Sequence, residues 1–151
     1  MIRKRILFVC HGNICRSPMG EFILKAMAEA EGIGGELHIE SAAVSAEEIG
    51  NGIYPPAKAC LQRHGIPFSN AKKARRICRE DYERFNLILC MDASNMRLIK
   101  HIIPGDPQHK IQMLSSYAGM GRDIADPWYT NDFETTFTDI SLACKALVKQ
   151  L

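Results

Sequence analysis

The sequence predicts an α/β fold, a three-layer arrangement in which a four-stranded parallel sheet carries helices on both faces. Short apolar runs rich in branched side chains occur at residues 6–9 and 87–91, the pattern of strands buried on both sides. Such runs alternate with stretches of helical periodicity, which implies crossover connections and parallel strands. A closing helix carries one apolar stripe, Phe133, Phe137, Ile140, Cys144, Leu147 and Leu151, that must be covered by a core. Residues 1–151 read as a single domain, since the length suits one core and 46% of the residues are hydrophobic.

Taken in order, the first strand ends at Cys10 and gives way to a tight loop. Pro18 suits the first helical position and Ser17 the cap before it. Met19, Phe22, Ile23, Ala26, Met27 and Ala30 then repeat at helical spacing. Gly32, Gly34 and Gly35 close that helix, and residues 37–44 read as the second strand. Residues 45–56 are irregular, and residues 56–64 form a helix that Gly65 ends. Residues 69–79 are basic, and the five cations among residues 72–79 read as a solvated face. A short helical turn at 81–84 precedes the third strand, 87–91. Asp92 or Ser94 caps a helix to about His101, and the cluster Pro104-Gly105-Asp106-Pro107 is a turn. A weaker fourth strand spans 110–114, and residues 115–129 form a long loop carrying Asp126-Pro127-Trp128-Tyr129. The last helix starts near Asp132.

Composition narrows the function. A net charge of +2 gives no case for nucleic acid. No run approaches the ~20 apolar residues of a membrane span, and the apolar stretch after Met1-Ile2-Arg3-Lys4-Arg5 is too short for a secretion signal. A cytoplasmic protein with reduced thiols is expected. Cys60, Cys78, Cys90 and Cys144 read as buried or half-buried free thiols. None has CxxC spacing, so no zinc site and no cofactor are expected.

The loop Cys10-His11-Gly12-Asn13-Ile14-Cys15-Arg16-Ser17 carries the chemistry. Cys10 sits at the strand end, and Arg16 stands six positions on, where the helix begins. A loop curled between them can aim successive backbone N–H groups at one oxyanion, with the helix N-terminus adding partial positive charge. Arg16 adds a two-pronged grip on phosphate oxygens. Gly12 and Asn13 are residue types that tolerate the positive φ such a curl demands. A thiol in that field loses its proton more readily than a free one. In α/β sheets ligands bind beyond the carboxyl ends of strands, so Cys10, Ser41, Asp92 and the Asp126 loop can converge there.

The string Val-Cys-His-Gly-Asn-Ile-Cys-Arg-Ser-Pro, so near the start of a chain of 151 residues, resembles the low-molecular-weight protein tyrosine phosphatases. The resemblance covers the whole chain. It implies hydrolysis of phosphotyrosine and aryl phosphate monoesters through a phosphocysteine on Cys10, without a metal. Asp126, an Asp-Pro followed by aromatics, corresponds to the family's general acid, and Trp128 and Tyr129 form an aromatic wall. His11, Gly12, Asn13, Ile14, Cys15 and Ser17 complete the phosphate-binding loop. Asn13, Ser17 and Ser41 match a hydrogen-bond network beneath it. Cys15 corresponds to a position that can pair reversibly with Cys10 and shield it from over-oxidation. Ile14 is aliphatic, as in tyrosine-directed members, whereas a Thr there is typical of relatives acting on phosphoarginine. The implied partner is a phosphotyrosine-containing protein, for example a tyrosine kinase.

Two positions depart from the family pattern. Ala46-Glu47-Glu48 stand where an aromatic is often found, so one wall is open or acidic, with Tyr54 a substitute from the same loop. Lys72 replaces a frequent histidine. Two other readings use the same loop. A thiol-dependent arsenate reductase would need a cysteine relay, for which only Cys78 and Cys90 are available. A non-catalytic phosphate-binding module would have no use for both Cys10 and Asp126.

Overall fold

The computed structural model describes residues Met1–Leu151. Strands β1 (Lys4–Cys10), β2 (Leu37–Ala43), β3 (Leu87–Cys90) and β4 (Ile111–Met113) form one parallel sheet in the order β2-β1-β3-β4. The helices are α1 (Arg16–Ala30), α2 (Pro55–Arg63), α3 (Glu80–Arg84), α4 (Ala93–Ile99), α5 (Pro127–Thr130) and α6 (Phe133–Val148). The predicted fold class is the one observed. Because β2 and β3 lie on opposite sides of β1, the strand order reverses there. The carboxyl end of β1 therefore opens on the crevice where such sheets bind ligands.

The two faces of β1 explain its apolar run. Ile6, Phe8 and Cys10 enter a core with residues of α1, α2 and α6. Leu7 and Val9 enter a second core with Tyr82 of α3, Ile99 of α4 and Ile77. The alternation has no polar phase because neither face meets water. The predicted stripe of α6 packs on the first core, with Leu151 at its margin.

Gly20 sets how closely α1 approaches the sheet. A Cβ there would stand 2.7 Å from Cδ1 of Phe8, whose ring is fully buried and has nowhere to move. Alanine would gain helix propensity, about 1 kcal/mol, but the clash should outweigh it. Gly20→Ala is expected to cost a net ~1–2 kcal/mol, lowering Tm by about 2–4 °C per kcal/mol. An unchanged thermal midpoint would show that Phe8 can yield.

Three expectations are corrected locally. Helix α1 starts at Arg16, two residues before Pro18, and its cap position is Cys15, which makes no side-chain cap bond. Ser17 is thus inside the helix, and its hydroxyl is used elsewhere. Residues 115–129 are not one open loop: a 3-10 turn spans Leu114–Ala118 and α5 spans Pro127–Thr130. The basic run is not simply a solvated face either. Ala74 and Ile77 are buried, and Arg76 bridges to Ala43 at the end of β2. Arg75 pairs with Asp81 at 2.9 Å and Glu40 at 3.2 Å. Burial works against the Asp81 carboxylate, but the bonds from Arg75 and the Cys78 amide outweigh it and hold the group below the usual carboxylate range.

Candidate active site

The backbone of the loop after β1 is fixed by its own side chains. Asn13 takes φ 60, the left-handed region that asparagine tolerates. Its side chain holds that shape from both ends: Nδ2 donates to Ser17 Oγ at 2.7 Å, and Oδ1 accepts from the Arg75 amide at 3.2 Å. Gly12 does not have positive φ, contrary to expectation. Its role is spatial, since a Cβ would meet Glu48 Cγ at 3.3 Å.

Donors converge on the sulfur of Cys10. The amides of Asn13 and Ser17 point at Sγ from 3.3 and 3.4 Å, and Ser17 Oγ lies 3.0 Å away. Ser17 Oγ accepts from Asn13, so its one proton is shared between the sulfur at 3.0 Å and the Ala42 carbonyl at 3.4 Å. This is why Ser17 does not cap α1. The sulfur thus sits at a helix N-terminus with two amides and a hydroxyl gathered around it. Cys15 is the contrast. Burial pushes its thiol well up, and the nearby Cys10 and Asp126 push further in the same direction. Of the two cysteines in the loop, only Cys10 gathers donors on its sulfur.

Arg16, the first residue of α1, is 2% exposed. Its Nη1 donates to Asp92 Oδ2 at 2.7 Å and to the Ile124 carbonyl at 2.8 Å. Nη2 reaches Asp126 Oδ2 at 3.3 Å, and Nε is buried without a partner. Burial disfavours the guanidinium charge, but Cys10, Asp126 and Asp92 more than offset it, and the pKa is raised. An orphaned buried donor beside a charged Nη2 is what a phosphate oxygen would satisfy.

Asp92 has two roles, of which the sequence suggested one. Oδ1 accepts from the Asn95 amide at 2.7 Å, capping α4, while Oδ2 holds Arg16. Asp126 caps α5 by accepting from the Trp128 amide at 3.1 Å and turns its other oxygen toward Arg16. The Asp-Pro turn and the carboxylate position are therefore one feature.

Cys10, His11, Gly12, Ile14, Cys15, Arg16, Asp126, Trp128 and Tyr129 line a single cavity together with Glu47 and Glu48. Cys10 is at its floor, almost wholly buried, and Trp128 and Tyr129 are exposed at its rim. Glu47 lies 3.1 Å from His11 Nε2, and two carboxylates, Glu47 and Glu48, share the lining with the aromatics. Tyr54 packs against Trp128, with centroids 4.8 Å apart, and lines an adjoining depression together with Ile14, Glu48 and Trp128. Ser41 does not reach the loop: its hydroxyl donates to Glu21 Oε1 at 2.6 Å, and its carbonyl accepts from Lys72 Nζ at 2.9 Å. Burial lowers the pKa of Lys72. The network beneath the loop thus runs through the Asn13 and Ser17 side chains to the backbone of Arg75 and Ala42, and Ser41 belongs to a separate buried cluster. Glu47 and Glu48 stand in the lining as the sequence suggested, whereas the ion pair of Asp92 with Arg16 was the part hardest to read, since only a fold brings the two together.

Comparison with known proteins agrees with this geometry. A sequence model of the family "Low molecular weight phosphotyrosine protein phosphatase" matches residues 5–151. Proteins of that name from Pongo abelii and Homo sapiens are 41% and 40% identical to this chain over 155 residues, covering 97% of it and 95% of each relative. The crystal structure of YfkJ from Bacillus subtilis superimposes with a TM-score of 0.92 at 34% identity, over 99% of this chain and 94% of that one. A donor-ringed cysteine, an arginine with an unfilled buried donor and a carboxylate at the pocket mouth occur here in a sequence and fold shared with these enzymes. The chain belongs to the low molecular weight phosphotyrosine protein phosphatases, hydrolases of phosphotyrosine in proteins.

Proposed function

We propose that the chain, acting as one domain, cleaves phosphotyrosine by double displacement on Cys10. The observation that carries this reading is the convergence on one sulfur of two amides and a hydroxyl, with the Arg16 guanidinium beside it. The phosphate enters with its oxygens on the loop amides and on Nε and Nη2 of Arg16. Cys10 attacks phosphorus in line with the leaving phenolic oxygen, and the S–P bond forms as the P–O bond breaks. Asp126 gives its proton to the departing oxygen. Phosphate binding draws Nη2 of Arg16 onto the phosphate oxygens and leaves the Asp126 carboxyl free to face the leaving oxygen. Water then attacks the phosphocysteine, and Asp126 takes a proton from it. Arg16 and the amides stabilise the equatorial oxygens in both transition states.

Ile14, Trp128 and Tyr129 supply apolar surface on which a phenyl ring can rest above the buried sulfur. A serine ester is shorter and offers no ring. The substrate is therefore a phosphotyrosine-containing protein, with tyrosine kinases among the candidates. The thiolate requirement places the work in a reducing compartment such as the cytoplasm. A cysteine relay for arsenate reduction is not favoured, since Cys90 is fully buried in β3. Assay of matched phosphotyrosine, phosphoserine and phosphoarginine peptides in EDTA tests the reading. Phosphotyrosine is expected to lead by roughly 100-fold or more in kcat/KM. Equal or faster cleavage of phosphoarginine would overturn the substrate class, and absence of turnover would favour a binding module.

A further inference from the structure

Away from the phosphate loop, α2 meets the first turn of α6 at a cluster with a different chemistry. Cys60 and His64 are four residues apart at the C-terminal end of α2, so their side chains leave the same face. Glu134 enters from the first turn of α6. Cys60 Sγ lies 2.9 Å from Glu134 Oε2, and His64 Nε2 lies 2.9 Å from Oε1. One ligand atom from each of the three lies within 4.8 Å of the other two.

These separations are close to what a tetrahedral ion requires. Bonds of ~2.3 Å to sulfur, ~2.0 Å to imidazole and ~2.0–2.2 Å to carboxylate set ligand atoms about 3.3–3.6 Å apart. Small side-chain shifts would open the sulfur–oxygen and nitrogen–oxygen gaps to that spacing. The His64 ring is already fixed in plane by Phe137, stacked at 3.8 Å between centroids and 11° between planes. Cys60 is buried, whereas His64 and Glu134 are exposed, so a fourth position faces solvent and can hold water. One thiolate and one carboxylate balance a divalent charge, and the sulfur and imidazole select a borderline-soft cation over magnesium or calcium.

We propose that Cys60, His64 and Glu134 form a zinc(II) site that clips α2 to α6. As the S–Zn bond forms, the Cys60 thiol releases its proton to solvent. Arg63, whose Nη2 lies 3.2 Å from Glu134 Oε2, remains as an outer partner of the carboxylate. The site is separate from the chemistry but linked to its wall: Phe133, next to Glu134, lies 6.1 Å from Tyr54, and Tyr54 packs on Trp128. A search for CxxC spacing misses the arrangement because the motif is Cys-x-x-x-His, and its third ligand lies 70 residues beyond His64.

Cobalt(II) serves as the visible probe and zinc(II) as the ligand for affinity, both added to the full chain and to its Cys10→Ser form. The second protein removes the competing thiolate of the phosphate loop. One equivalent should bind to the Cys10→Ser form, with a thiolate-to-cobalt charge-transfer band that is absent once Cys60→Ser is added to it. His64→Gln, a surface change, should weaken zinc binding by at least about tenfold and lower the zinc-induced rise in Tm. If Cys60→Ser does not fold, His64→Gln decides alone. The proposal is overturned if the band disappears in Cys10→Ser, if binding does not saturate, or if His64→Gln binds zinc as the parent does. The last result would leave Cys60 as a thiol hydrogen-bonded to Glu134 only.

Discussion

Replacing Cys10 by serine is expected to lower turnover of phosphotyrosine by roughly 10⁴-fold or more, the scale on which loss of a catalytic nucleophile is felt. Binding of the oxyanion should survive. Serine keeps the volume of the site and leaves Arg16, the helix N-terminus and the loop amides in place. The hydroxyl, however, is a far weaker nucleophile than sulfur. Isothermal titration with tungstate should give an affinity within a few-fold of the parent, about 1 kcal/mol or less. Residual activity near the parent's would place the nucleophile elsewhere. Loss of tungstate binding along with turnover would mean that the change had collapsed the loop, and Cys10→Ala would then be needed to separate the two effects.

Asp126→Ala is the second large effect. The general acid contributes about 10²–10⁴-fold, and its contribution depends on how badly the leaving oxygen needs a proton. The drop in kcat should therefore be large for phosphotyrosine and small for an aryl phosphate whose phenol is strongly acidic. A plot of log kcat against leaving-group pKa should be nearly flat for the parent and steep for the variant. The change also removes the cap of α5 and the second carboxylate on Arg16. A cap costs about 1 kcal/mol, so Tm should be recorded alongside. Equal losses for good and poor leaving groups would mean that Asp126 only positions Arg16.

Much of this site could be read in the sequence because its signals are local. The apolar run of β1, the stripe on α6 and the loop from Cys10 to Ser17 are each contiguous or periodic, and each was found where expected. What was misread depends on competition between local and distant partners. Ser17 has the composition of a helix cap, but Cys10 and Asn13 take its hydroxyl, and the helix starts earlier without a side-chain cap. Ser41 falls at the right strand position for the loop network, yet Glu21 on α1 captures it. Asp92 is an ordinary cap by sequence, and only the sheet order, with β3 beside β1, brings its second oxygen to Arg16. The cationic run is tethered through Arg75 to Asp81 and Glu40, and a charge count alone does not reveal such pairing.

The departures at the pocket mouth have a physical meaning. Where an aromatic would add apolar surface, Glu47 and Glu48 join Trp128 and Tyr129 in lining the opening. A phosphotyrosine peptide would then meet negative charge beside the aromatic surface.

Covalent capture of the phosphoryl group by Cys10 is the central step, and the most direct test is to trap it. Asp126→Ala enzyme, in which the water that releases phosphate has lost its base, should be mixed with an aryl phosphate whose phenol is strongly acidic, so that capture needs no acid, and quenched within one turnover. Peptide mapping by mass spectrometry is predicted to find one phosphoryl group, on the sulfur of Cys10, appearing as fast as the phenol is released. Phenol released in a full turnover with no phosphoryl group on the protein, or with the group on a histidine, would contradict it.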